Sequence, residues 1–442
     1  MKLQRICIRK LFGTFNHDIP LNNDAGVTIV IGENGLGKTV LLEMIEAFFS
    51  EKFDYFSNIM FEKFTIEFDD HVVWHITKNQ DQALRIEPKK GNKKIVEPYI
   101  VKFFSSENLE QLARRVARLY PSLKRVGPRR WLDRRSEMSL TLEDIINRYS
   151  HFTHSFQRDL FCEDSLEEKP DWFLERCEQI NVSLIETQRL IYTKAKQENS
   201  STKTVERYSN ELSQKIKALL TESTTLSAQL DRTYPNRLIT RLENEKSITI
   251  KQLNKELESL ENKRRILDSV GLIVIDKDSP ISKVNNLDDV VKHVLMLYVE
   301  DSFEKIKIFT EIAEKIKLLQ EIINKRFKHK KLFIDKEEGF IFRSTTIQNE
   351  NKENQIIPLT HLSSGEQNEL VLFYRLLFDS KPNSLILIDE PEVSLHISWQ
   401  KCFIEDLKAI TKINNLDVII ATHSPDIIAN NWNLKVELLG LE

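Results

Sequence analysis

Cysteine is scarce and scattered in this chain: four in 442 residues, Cys7, Cys162, Cys177 and Cys402, with no CxxC pair. That spacing argues against a disulfide framework, a zinc knuckle and a redox motif, and reads as reduced thiols. Long apolar runs are missing too. Residues 1–15 are broken by Arg5, Arg9 and Lys10 and carry no apolar h-region, and no later segment approaches about 18 continuous apolar residues, so neither a leader nor a membrane span is expected. An excess of one charge is also lacking: 64 Lys and Arg against 67 Asp and Glu leave a net charge of −3. A general polycation that coats nucleic acid is thereby excluded, and any nucleic-acid site must be local. These absences imply a soluble, cytoplasmic protein, long enough for two or three domains and a substantial core.

What is present lies toward the two ends. Gly32-Glu33-Asn34-Gly35-Leu36-Gly37-Lys38-Thr39 fits GxxxxGK[ST] without departure, follows an apolar run at 27–31 and leads into a helical pattern over 40–50. In that context backbone amides around Asn34, Gly35 and Gly37 cradle phosphates, Lys38 reaches the β- and γ-phosphates and Thr39 holds Mg²⁺. Much later, the run 385–388 delivers Asp389 to the carboxyl end of a buried strand, where it can order the Mg²⁺ shell. Glu390 follows, placed to orient or deprotonate an attacking water. His423, in Ala421-Thr422-His423-Ser424-Pro425 after a second buried strand at 417–421, is placed to contact the γ-phosphate. Roughly 350 residues separate Lys38 from Asp389, so a large segment is inserted into one nucleotide-binding domain.

Leu362-Ser363-Ser364-Gly365-Glu366-Gln367 resembles the LSGGQ signature of ATP-binding-cassette (ABC) ATPases, with serine for the first glycine of the usual pair. The order P-loop, LSSGEQ, LILIDEPE, ATHSP is similar to the clade that includes SMC, RecF and OLD-type proteins and the zinc-hook ATPase of double-strand-break repair. The resemblance implies a head-to-head homodimer glued by ATP and Mg²⁺. Residues Ser363, Ser364, Gly365, Glu366 and Gln367 would cap the partner's ATP, Glu390 would be the hydrolytic carboxylate and His423 the γ-phosphate switch. Gln80 and Gln82 are both candidates for the family's loop glutamine. Glu392-Val393-Ser394-Leu395-His396 holds the D-loop position, and its EPExSLH wording looks like OLD-like and phage-defence ATPases. Only 19 residues follow His423, too few for the Toprim domain of OLD nucleases, and no CxxC hook is present. The chain is therefore similar to the ATPase subunits of anti-phage systems such as PARIS and Septu, which implies a separately encoded nuclease or toxin effector and a phage trigger protein as partners. The same motifs also suit a RecF- or SMC-like DNA-binding ATPase of repair or chromosome maintenance.

The expected fold class is α/β: an ABC-type P-loop head with a mixed sheet, interrupted by a helical antiparallel coiled coil. Its expected parts are an N-terminal lobe (1–150), the insertion (151–285) and a C-terminal lobe (286–442). Residues 2–9 read as an edge strand, and 64–68, 72–77, 83–87 and 99–104 as strands beside the site. From 108 onward the pattern turns helical. Leu212, Ile216, Leu219, Leu226 and Leu230 form one apolar stripe, and Ile250, Leu253, Leu257, Leu260 and Leu267 a second. Tyr234-Pro235-Asn236 between them predicts the turn of a hairpin with arms of roughly 45 Å. A third long helix is expected over 286–326 and a β-hairpin over 331–342. Finally, Arg114, Arg115, Arg118, Lys124, Arg125, Arg129, Arg130, Arg134 and Arg135 crowd a short stretch opposed only by Asp133, with Tyr120 and Trp131 interleaved. Such a run suits a phosphate backbone such as DNA, an acidic protein partner, or a solvated face.

Overall fold

The computed structural model describes residues 1–79, 83–91, 93–102, 120, 122–127, 130–133, 138–141, 169–186, 200–243, 248–274, 284–285, 287–349, 352–393 and 395–440. Gln80, Gln82, Arg114, Arg115, Arg118, Arg129, Arg134, Arg135, Cys162 and Ser394 lie outside them.

A five-stranded parallel sheet forms the centre, in the order β12 (Val182–Glu186), β16 (Leu385–Asp389), β17 (Asp417–Thr422), β3 (Val27–Ile31), β18 (Lys435–Glu437). Strands buried on both faces read as continuous apolar runs, and here alternate residues divide between two cores. Ile29, Ile386, Ile388, Val418 and Ile420 enter one; Val30, Leu385, Leu387, Ile419 and Ala421 enter the other.

The second core is filled by α1 (Lys38–Phe49) and by an antiparallel sheet ordered β2 (Phe15–Pro20), β1 (Leu3–Leu11), β4 (Lys63–Phe68), β5 (Val72–Lys78), β6 (Ala83–Lys90), β7 (Lys93–Lys94), with β8 (Tyr99–Lys102) also on β6. Phe48 of α1 is its hub. The rings of Phe49, Phe53, Phe56, Phe64, Trp74 and Phe173 surround it with centroids 5.4 to 6.3 Å away, a range in which edge-to-face pairs are favourable. Phe173 comes from α2 (Asp171–Gln179), so α2 and β12, which fall within 151–285, pack in the head.

The first core is covered by α6 (Thr310–Arg326), α7 (Ser364–Tyr374) and α9 (Phe403–Asn414), and by a sheet of β13 (Lys330–Asp335), β14 (Gly339–Gln348) and β15 (Asn354–Ile357). An ion triad ties the three helices together: the buried Arg326 of α6 pairs with the buried Glu369 of α7 and with the half-buried Asp406 of α9.

Several expectations are corrected. β1 is no edge strand, because β2 and β4 pair on its two sides. The hairpin turn is not at Pro235, which lies inside α3 (Ser200–Glu243); α3 ends at Glu243, and α4 (Ile250–Ser269) starts at a Thr249–Gln252 capping box. Contacts on both sides of the proline hold the helix together: Tyr234, Arg237 and Arg241 all bond to α5 (Asp289–Lys307). The two leucine stripes do not face each other. Leu212 and Ile216 enter the head core, while Leu253, Leu257 and Leu260 pack on Val299 of α5. Among the described residues the insertion holds three helices, of which α5 touches both α3 and α4. The long helix expected over 286–326 is two, α5 and α6, with a break at Ile308 and Phe309. Residues 123–141, expected within a helical stretch, hold the antiparallel sheet β9 (Leu123–Gly127), β10 (Arg130–Asp133) and β11 (Met138–Thr141).

Candidate nucleotide site

The phosphate loop leaves β3 and becomes α1 at Gly37, whose φ of 81° caps the helix. A side chain there would be strained by the left-handed backbone and would meet Leu11 at 2.9 Å and Phe12 at 3.1 Å, so glycine is required. Lys38 is buried, and its Nζ donates to the carbonyls of Gly32 at 2.7 Å and Glu33 at 2.9 Å, curling the loop around its own cation.

The distant halves of the site meet directly. Thr39 Oγ1 donates to Asp389 Oδ2 at 2.9 Å, across 350 positions of sequence. Topology makes this possible, because β3 and β16 flank β17 and all three end at the same edge of the sheet. The Asp389 carboxyl is pushed up to about 6, mainly by burial; the Thr39 hydrogen bond opposes the shift, and the negative charges of Glu390, Glu43 and Glu392 add to it. A hydroxyl beside a half-buried carboxylate is a hard-oxygen donor pair, and the surrounding acids leave a charge that a divalent cation relieves. Among the described residues no group of three or more His, Cys, Asp or Glu forms a metal cage. The Thr39–Asp389 pair of hard oxygen donors fits Mg²⁺, which takes one or two protein ligands and completes its shell with water and phosphates.

Beyond Asp389 the backbone turns sharply. Glu390 has φ 44°, a left-handed conformation that costs a non-glycine residue about 1–3 kcal/mol. Its N–H is held by the carbonyl of Ala421 at 2.9 Å, which anchors the turn to the end of β17. His423 stands opposite, with Nδ1 4.0 Å from Glu390 Oε1. Glu392, which the sequence places in the D-loop position, organises this corner. Its Oε1 accepts the backbone N–H of His423 at 3.0 Å and lies 3.2 Å from that ring's Nδ1, leaving Nε2 for a ligand. The motif gives its place but not its partner, His423.

The signature residues sit on the other core. Ser363 caps α7 in a capping box with Glu366, whose carboxylate also pairs with Lys330 at 3.0 Å. Gln367 is buried and donates to the Leu362 carbonyl at 2.9 Å. Ser364 is exposed, and Gly365 opens onto free space, so these two and the helix start are what the segment offers a ligand. Of the basic run, Lys124 and Arg125 stand exposed on β9, facing Leu132 and Trp131 of β10 across the ladder.

A glycine loop between a parallel strand and a helix, closed by a Thr–Asp contact from a neighbouring strand end, defines a P-loop ATPase head carrying a helical insertion. The model of the AAA ATPase domain family matches residues 1–428, and the chain belongs to that family. No curated protein matches it. Among solved structures it is similar to an SMC head bound to the C-winged helix domain of ScpA (11% identity, 97% of this chain and 92% of that one, TM-score 0.36) and to the SMC head domain from Thermotoga maritima (12%, 97% and 91%, 0.31). Among the described residues no helix is long and apolar enough to cross a membrane.

Proposed function

We propose that this chain is an ABC-type ATPase that binds ATP and Mg²⁺ between two copies of itself and serves as the sensor or scaffold subunit of an anti-phage complex, controlling a separate nuclease or toxin effector. The observation that carries the ATPase reading is the Thr39–Asp389 contact, which joins the phosphate loop to the acidic strand end. Thr39 and Asp389 are the residues that would hold Mg²⁺, which when bound neutralises charge on the β- and γ-phosphates. Glu390, fixed by its strained turn, orients the attacking water and takes its proton. His423, braced by Glu392, presents Nε2 toward the γ-phosphate. Ser364 and Gly365 meet the other protomer's ATP.

Two fastenings support transmission of that state to the insertion. Ser209 and Ser213 of α3 bond the β13–β14 turn through the carbonyls of Glu338 and Lys336, at 2.8 and 2.9 Å. Arg326, at the end of α6, grips the signature helix through Glu369. The LSSGEQ and EPEVSLH wording supports the defence role.

Lys38→Ala should lose ATP binding. Glu390→Gln should bind ATP, turn over about a hundredfold or more slowly, and accumulate as dimer in light scattering; ordinary turnover would remove Glu390 from its role. Capture of the Glu390→Gln protein with ATP from its native host should bring a stoichiometric nuclease or toxin. Recovery instead of duplex DNA, held with a steep salt dependence, would favour the RecF- or SMC-like reading of the exposed Lys124 and Arg125.

A further inference from the structure

One buried ionisable group beside the phosphate loop has no part in the chemistry above. His17 lies on β2 and is 1% exposed. Its Nε2 is 2.8 Å from the carbonyl oxygen of Leu36, the residue before Gly37. A carbonyl oxygen only accepts, so Nε2 carries the proton. Burial lowers the ring's pKa, which favours the neutral form with its proton on Nε2. Phe15 stacks beside it, centroids 6.1 Å apart and planes 9° off parallel, so the ring's plane is set by packing as well.

The peptide that His17 holds is restrained from its other end too. Leu11 and Phe12, from the end of β1 and the turn that follows it, press on the Cα of Gly37, where an added Cβ would come within 2.9 and 3.1 Å of them. Leu36 itself is buried, with its side chain against Gly32. A trans peptide points its C=O and the next N–H in opposite directions. With the Leu36 oxygen turned toward β2, the Gly37 N–H is turned away from it, among the amides that a phosphate-cradling loop offers its ligand.

We infer that His17 is a positioning residue: its Nε2–H bond to Leu36 sets the Leu36–Gly37 peptide so that the Gly37 amide is aimed at nucleotide phosphate before ATP arrives. A bond made in both free and bound enzyme lowers the reorganisation that binding requires, so its loss raises Kd and KM and leaves kcat at saturating ATP nearly unchanged. The inference rests on the reading of residues 32–39 as the ATP site.

The experiment compares H17F, H17Q and H17N with wild type, using MgATP titration, steady-state kinetics and thermal melting. Gln can place an amide N–H where Nε2 stood, and Asn is too short to do so. Kd for MgATP is expected to rise about tenfold in H17F and H17N, the ratio that about 1.4 kcal/mol makes, and the size of one net hydrogen bond. H17Q is expected to stay within about threefold of wild type. Should H17F fail to fold, the contrast of H17Q with H17N carries the test. Equal weakening in H17Q and H17N, or wild-type affinity in H17F and H17N, would overturn the inference. A merely packing role would lower the melting midpoint in all three while leaving Kd unmoved. Lys38→Ala separates the two levels: if it loses ATP while the His17 variants do not, only the positioning role fails, and if it binds like wild type the ATP site itself is misread.

Discussion

Replacing Arg326 with methionine should destabilise the head far more than its one hydrogen-bonding side chain suggests. Arg326 is 3% exposed, Glu369 is fully buried, and Asp406 is 15% exposed. The guanidinium also lies 4.8 Å from the centroid of the Phe373 ring. Methionine keeps most of the volume but removes the paired cation from two carboxylates, one of them, Glu369, where water does not reach. Breaking a buried pair by removing one partner costs about 3–5 kcal/mol. At about 2 °C per kcal/mol, the melting midpoint should fall by about 6 °C or more. The sign of the pH dependence follows. Burial already raises Asp406 above its ordinary value against the pull of Arg326. Without that pull the folded Asp406 holds a proton at a pH where the unfolded chain remains ionised. The folded variant then binds more protons than the unfolded one, so its stability rises as pH falls from 7.5 toward 5.5. Thermal melting of the Arg326→Met protein at both pH values measures this, and a triple variant with Glu369→Gln and Asp406→Asn should regain most of the loss. A drop under about 1 kcal/mol, or a triple variant no better than the single, would refute the reasoning.

Other expectations concern separate parts of the molecule. Phe48→Ala should cost about 3–5 kcal/mol, because six rings lose their common neighbour, and denaturant unfolding would show it. Glu392→Gln keeps the shape but weakens the hold on His423, so kcat should fall about tenfold with the melting midpoint unmoved; unchanged kcat would make that contact ornamental. Gly37→Ala should abolish ATP binding through its clash with Leu11 and Phe12, as equilibrium titration would report. His75 is held down to about 4 by burial and by the nearby Lys63 and Lys89. The unfolded chain therefore gains a proton first as pH falls from about 6.5, and stability is lost toward pH 4. At pH 5 the effect should be about 1 kcal/mol after solvent screening. A His75→Gln variant whose melting midpoint falls with pH in parallel with wild type would show that another group titrates.

Sequence reached this site because each of its parts is local. The phosphate loop needs its glycines and lysine in fixed order, and β16 and β17 are buried on both faces, so their apolar runs stand out from a charged chain. What stayed hidden depends on partners far away. Pro235 reads as a helix breaker, yet α3 runs past it, held by α5 through Tyr234, Arg237 and Arg241 and by Arg237 bonding back to Thr233 and the Leu230 carbonyl. The crowded arginines around β9 and β10 mask a period of two. Glu392 gains its role from a loop 31 positions later, and His17 from a carbonyl 19 positions later. Neither separation leaves a periodic trace.

The order of strands in the parallel sheet has a consequence for synthesis. β3, which launches the phosphate loop, has β17 on one side and β18 on the other. Both are translated some 400 residues after it, which at 5–20 residues per second is about 20 to 80 s. Throughout that interval the emerging chain holds a complete phosphate-loop sequence on a strand with no neighbour to pair with. A nascent or truncated product that stops inside the helical insertion therefore lacks both neighbours of the strand that launches the phosphate loop, and synthesis of β17 and β18, rather than emergence of the loop, sets when that strand first sits in its sheet.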